Sequence, residues 1–224
     1  MKFVITAGPT REPLAPVRFL SNRSSGKMGY AIASAAIESG HSVVLISGPV
    51  CLEALPRAQC FFVNTSDEMH DAVHKAVRDC DVLIMCAAVA DYKAARIARS
   101  KLKKRDEKFS LDLIPTRDIL RSLPRVRDFF VVGFVAETNQ LEKNARAKLR
   151  HKNCNMMVAN DVSDAAVGME SDENAVTIFF ENGKAKKISR ARKKIIARAL
   201  VKIILEIAQK SFDKKNLGMN DSLK

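Results

Sequence analysis

The chain has 224 residues, 38 Lys and Arg against 25 Asp and Glu, and a formal charge of +13. With 47% hydrophobic residues and only 9 Gly and 7 Pro it has the composition of one large globular domain and not of a disordered or collagen-like chain. The longest apolar stretches, such as 129–135, fall far short of the roughly 20 residues a membrane span needs, which excludes a spanning helix.

In chain order, buried-strand patterns occur at 2–7, 42–46, 61–64, 82–86, 130–134 and 155–159. Helical patterns lie between them at 27–38, 67–77, 118–123, 138–152 and 189–209, with Ser66 and Thr138 as expected capping residues. Two further extended segments, 108–113 and 175–181, the second ending in an Asn182-Gly183 turn, suit an antiparallel edge or a dimer-forming arm. This alternation predicts an α/β fold: a doubly wound, mostly parallel Rossmann-like sheet with a small antiparallel extension. Residues 1–210 are expected to form one domain and 211–224 a frayed, flexible tail. The amino terminus runs from Met1 straight into a strand pattern with no secretion signal, so a cytoplasmic protein is expected. Five cysteines without a CxxC pair read as reduced thiols.

The positive charge is concentrated. Residues 93–108 carry eight basic and two acidic side chains, and 184–202 carry nine basic and no acidic ones, so the remainder of the chain is close to neutral. Trp is absent and only Phe109 lies in either segment, which disfavours nucleic acid as a partner. The first segment suits an anionic small molecule, and the second reads as the solvated face of a terminal helix.

In an open α/β sheet ligands gather beyond the carboxyl ends of the strands. The loop after the first strand contains Arg11, Arg18, Asn22, Ser24, Ser25 and Gly26 and feeds a helix start, where backbone N–H groups favour an anion; an ordinary capped loop is the alternative. It has neither GxGxxG nor a complete Walker A motif, which disfavours a nicotinamide-dependent reductase. After residue 86 the small residues Ala87, Ala88 and Ala90 admit a flat ligand, Asp91 offers an acceptor, and Lys101, Lys103 and Lys104 follow in a basic loop. Lys148 and Lys152 share a helix face and would suit either a polyphosphate or solvent. Asn160, Asp161, Asp172, Glu173 and Asn174 add polar groups further on. His70 and His74 have a metal-ligand spacing without a third ligand, and read as a helix surface.

The strings ITAGPTREPLAPVRFLSNRSSGKMGYAIA, AAVADY, KLKK, PTRDIL, GFVAET, AKLRHKN, VAND and SDENAV, in this order over about 4–177, closely resemble the phosphopantothenate–cysteine ligase family of coenzyme A biosynthesis. The resemblance implies a ligase that joins 4′-phosphopantothenate to L-cysteine with CTP and Mg²⁺, through an acyl-cytidylate, releasing pyrophosphate and CMP; ATP is the alternative donor. It implies catalytic roles for Asn22 and Lys101, phosphopantothenate contacts from Arg18 and Asn22, and nucleotide contacts from Met85, Cys86, Ala87 and Asp91. Lys101, Arg117, Asp118, Ile119, Leu120, Phe134, Lys148 and Lys152 complete the implied nucleotide set. The chain departs from the family pattern at Arg117, where proline is usual, and at Val135, where alanine is usual. A homodimer is implied, and the chain reads as a stand-alone ligase without flavin, coupled functionally to a separate flavin-dependent decarboxylase.

Overall fold

A computed structural model describes residues 1–104, 106–137, 139–161 and 171–221. Eight strands form one sheet: β1 (Lys2–Ala7), β4 (Ser42–Ser47), β5 (Gln59–Phe62), β6 (Val82–Met85), β9 (Phe130–Glu137), β10 (Met156–Asp161), β11 (Glu173–Phe180) and β12 (Ala185–Arg192). Their order is β12-β11-β10-β9-β6-β1-β4-β5, parallel from β5 to β10 and antiparallel at β11 and β12. The doubly wound sheet with an antiparallel extension is therefore as expected. The chain winds outward from β1 to β5 and returns to β6 on the other side of β1, which opens a crevice above the β1–β6 boundary.

Alternate strand residues enter two cores. Phe3, Ile5, Val43, Leu45, Ile84 and Val132 face helices α1 (Lys27–Glu38) and α5 (Lys193–Asp221). Val4, Val44, Ile46, Leu83 and Val131 face α2 (Ser66–Ala76), α3 (Ile119–Ser122) and α4 (Leu141–His151). The near-continuous apolar strands follow from this burial on both faces.

Several local expectations need correction. The cap of α2 is Thr65, not Ser66: extended Thr65 accepts from the Glu68 N–H at 3.2 Å, and the Glu68 carboxylate reaches back to the Thr65 N–H at 3.4 Å. The cap of α4 is Gln140 in a left-handed conformation, and Thr138 lies outside the described residues. Residues 189–192 belong to β12, and α5 begins only at Lys193, because the hairpin through the Asn182-Gly183 turn runs eight residues down its second strand. Helix α5 continues through Ser211 as far as Asp221.

Residues 108–112 form no strand. Leu113 instead opens β8 (Leu113–Pro115), which pairs with β7 (Tyr92–Ala94) away from the main sheet. The hydroxyl-rich loop after β1 contains another unanticipated ribbon, β2 (Arg11–Ala15) with β3 (Arg18–Ser21). The ribbons lie side by side with β2 against β7, and in the loop after β7 the Ala98 N–H donates to Leu14 O at 3.0 Å.

Candidate active site

A cleft of about 580 Å³ lies over the carboxyl ends of β6, β9 and β10, beside the start of α1. Its floor is the backbone that follows β6. Buried Thr6 accepts from the Cys86 and Ala87 N–H groups at 3.1 Å each, and buried Thr10 accepts from the Ala90 N–H at 3.0 Å. From above, the Asn22 amide donates to the carbonyls of Ala88 and Val89 at 3.2 Å each. Asn22 thus holds the floor while its own residue lines the cleft. Burial pushes the Cys86 thiol up to about 12, so it keeps its proton at neutral pH.

Helix α1 approaches this floor closely. A Cβ on Gly29 would stand 2.6 Å from the Ala7 Cβ, so only glycine allows the helix to lie this near β1. Its cap, Gly26, has φ of 75°, a left-handed conformation suited to glycine. Gly26, Lys27, Met28 and Gly29 consequently all line the cleft, which brings the start of the helix to it.

The opposite wall comes from the turn before α3 and from α4. The Asp118 carboxylate accepts from the Arg121 N–H at 3.1 Å, capping α3, and also pairs with Lys152. Lys148 lies 2.9 Å from Glu137. Burial would raise the Glu137 pKa, but hydrogen bonds from Lys148 and Asn144 outweigh it and hold the carboxyl below its usual value. Arg117 turns its guanidinium away to α2, where Nε meets Asp67 at 3.0 Å and Nη2 meets Asp71 at 3.1 Å. Asp67 also pairs with Lys93, the principal reason its pKa is depressed.

The structure brings together Asn22, Met85, Cys86, Ala87, Asp91, residues 117–120, Phe134, Lys148 and Lys152 around one cleft. Arg18 and Lys101 are not among its lining residues. Arg18 on β3 donates to the carbonyl of Leu102, so the hairpin grips the basic loop beside Lys101 and keeps both residues outside the cleft. His70 and His74 stack at 4.3 Å on α2; His70 pairs with Asp71 and His74 meets Ser122, and the described residues contain no metal-ligating cluster.

Sequence reasoning missed Lys193. Within 184–202, Lys186, Lys187, Arg190 and Arg192 lie on β12 and Lys194, Arg198 and Lys202 lie exposed on α5, but Lys193 is only 6% exposed and lines the cleft. The helical period contained the signal: Lys193 falls on the same stripe as the buried Ile196, Ala197, Leu200 and Ile204. Asn160 also lines the cleft, nine-tenths buried, and its Oδ1 lacks a hydrogen-bond partner among the described residues.

The family model for the DNA/pantothenate metabolism flavoprotein C-terminal domain matches residues 1–208. The coenzyme A biosynthesis bifunctional protein CoaBC of Escherichia coli strain K12 is 42% identical over 221 residues, which cover 96% of this chain and 53% of that protein. Its counterpart in Bacillus subtilis strain 168 is 45% identical over 188 residues, covering 83% and 46% respectively. The chain therefore spans about half the length of these relatives. The crystal structure of a CoaBC C-terminal domain matches with a TM-score of 0.80 at 37% identity, covering 93% of this chain and 96% of that one. A Cab2 H337A mutant in complex with phosphopantothenate-cysteine shares the fold, with a TM-score of 0.75 at 16% identity.

Proposed function

The chain belongs to the DNA/pantothenate metabolism flavoprotein C-terminal domain family, and from that premise we propose that it ligates 4′-phosphopantothenate with L-cysteine, using CTP. The observation that carries this reading is the convergence of Asn22, Ala87, Asp91, residues 117–120, Phe134, Lys148 and Lys152 on one cleft at the crevice of the sheet. The substrates are two anions, and the cleft offers cations, helix N–H groups and a flat apolar floor.

A carboxylate becomes an acylating agent only when its oxygen carries a good leaving group. In the first half-reaction the carboxylate of 4′-phosphopantothenate attacks the α-phosphorus of CTP and expels pyrophosphate. In the second, the cysteine amine attacks the acyl carbon, loses a proton and expels CMP. Small residues over 87–90 let the reacting groups lie against the backbone, while Phe134 offers an aromatic face to the base. Lys101 supplies charge to the oxyanion once its loop carries it inward from the Arg18 tether.

Mg²⁺ supplies charge neutralisation on the phosphates. Asp91 and Asp118 are the acidic residues lining the cleft among the described residues. This donor set fits a Mg²⁺ that arrives on phosphate oxygens and takes only one or two carboxylates, because the ion retains most of its water. Asp91 would hold it, since Asp118 is already engaged by Lys152 and the α3 cap.

A homodimer in the cytoplasm, coupled to a flavin-dependent decarboxylase, completes the reading. The exposed Val17, Phe19, Tyr92, Ile97, Leu113 and Ile114 on the two ribbons and their connecting loop would be covered by a second copy. Light scattering is expected to give twice the 24.8 kDa chain mass.

The deciding experiment is pyrophosphate release with Mg²⁺ and 4′-phosphopantothenate, comparing CTP with ATP, each with and without cysteine. Cysteine-dependent product with CTP supports the reading. Product with ATP alone corrects the donor, and no product with either rejects the ligase.

A further inference from the structure

Helix α2 contributes none of the cleft's described lining residues, yet one of its faces backs a wall of the cleft. Asp67, Asp71 and His74 follow one another at spacings of four and three residues, so they share that face. All three reach the segment 117–122: Asp67 and Asp71 take the Arg117 guanidinium, and His74 Nε2 lies 2.8 Å from Ser122 Oγ. The Ser122 hydroxyl donates its single proton to Ile119 O at 2.8 Å, so His74 Nε2–H is the donor to Ser122. Between these two tethers, Arg117, Asp118, Ile119 and Leu120 line the cleft.

Asp67 reaches further than its neighbours. Its Oδ1 accepts from Arg117 Nε at 3.0 Å and its Oδ2 from the Lys93 ammonium, so one carboxylate joins β7 to the segment that follows β8. The ribbon meets the cleft at this junction: the Thr116 N–H donates to Asp91 O at 2.9 Å, the Thr116 hydroxyl donates to Ala90 O at 2.6 Å, and Ala90, Asp91 and Thr116 all line the cleft. The clasp also has a fixed base. The Thr65–Glu68 capping box closes the first turn of α2, and the Ser66 N–H donates to the buried Glu12 carboxylate on β2 at 2.8 Å. The Lys93 hydrogen bond above all holds the Asp67 carboxyl below its ordinary value, which keeps it charged at neutral pH.

The side chains of Lys93, Asp67 and Arg117 are 28%, 38% and 48% exposed, and ion pairs this open add little to global stability. Their consequence is local. We propose that Asp67 is a positioning residue for the nucleotide: through Lys93 and Arg117 it holds Asp91 and residues 116–120 in place as one wall of the cleft. This rests on the ligase reading and deepens it.

The test pairs steady-state kinetics with amide exchange over 113–123, in Asp67→Asn, which removes the charge at constant size, and Asp67→Glu, which keeps it. Asp67→Asn is expected to raise the nucleotide KM about fivefold, with kcat within about threefold and the KM values for acid and cysteine within about twofold. Exchange of the Thr116 and Ser122 amides should quicken about fivefold or more, while the melting temperature shifts by no more than about 4 °C. Asp67→Glu should recover most of the nucleotide KM. An unchanged nucleotide KM in Asp67→Asn overturns the proposal. So does a common rise in all three KM values with a large fall in melting temperature, the mark of a merely structural ion pair. Should Asp67→Asn fail to fold, Lys93→Gln decides in the same assays and by the same outcomes. Wild-type protein that forms no product rejects the ligase reading, and the exchange measurement then decides for Asp67: quickening confined to 113–123 supports its hold on the wall, and unchanged exchange overturns it.

Discussion

At the scale of single residues, the proposed roles of Lys101 and Asn22 can be told apart. Lys101 is not among the residues that line the cleft, so in the proposed mechanism its charge counts where the oxyanion forms and not in holding the nucleotide. Lys101→Ala is expected to leave the nucleotide dissociation constant within about twofold and to lower kcat by roughly 10²-fold or more, as removal of an oxyanion-stabilising group does; rapid-quench product formation beside equilibrium binding checks both. Normal turnover would remove the role assigned to Lys101. Asn22 is different, because its amide donates to the carbonyls of Ala88 and Val89 and so shapes the floor. Asn22→Ala is expected to release that segment, impairing formation and use of the acyl-nucleotide together; unchanged kinetics in both half-reactions would sink it. Arg117 keeps a place on the cleft while its guanidinium is satisfied by Asp67 and Asp71 on α2.

Among the elements, the contact between α1 and β1 carries the greatest sensitivity. Adding a methyl at Gly29 forces a Cβ to within 2.6 Å of the Ala7 Cβ and 3.0 Å of the Thr6 carbonyl, so the helix must retreat. Gly29→Ala is expected to cost about 1–3 kcal/mol in denaturant unfolding, by overpacking, and to weaken nucleotide binding because the helix start withdraws from the cleft. A variant of wild-type stability and affinity would show that the contact is not rigid. Where an element is apolar for both faces of the sheet, as in β1, β4 and β6, the pattern was legible, and the bounds of α1 match the expected 27–38. The ribbons β2–β3 and β7–β8 were not, since their strands are three to five residues long and the exposed ones lack an alternating face. The cleft walls on the strand-end loops were legible through their motifs. Lys193 escaped because a charge run suggests solvent, and only the position of the β12–α5 junction sets which of its lysines turns inward.

The ion pairs give the whole molecule a predictable acid response. Glu137 and Asp67 titrate below their usual 4.5 and 3.8, so the unfolded chain binds more protons as pH falls. Their contribution is fully present above those unfolded values and is lost as pH falls through the lower folded ones. His41 and His74, lowered from 6.5 chiefly by burial, also protonate more readily when unfolded. Stability should therefore decline gently as pH drops through about 6.5 and more steeply below about 4.5. Melting temperatures measured across that range in one low-salt buffer check the order of the two phases; a maximum near pH 4 would contradict it.

The hairpin that ends the sheet bears on how the protein behaves in a crowded solution. β12 is the terminal strand beside β11, and an open strand edge is a template on which another chain can grow. Here the strand is AKKISRAR, with Lys186, Lys187 and Arg190 exposed along it. Two copies approaching edge to edge would bring these like charges together over several residues. The basicity of this stretch thereby works as a barrier to fibrous self-association, a service to solubility that is separate from any ligand.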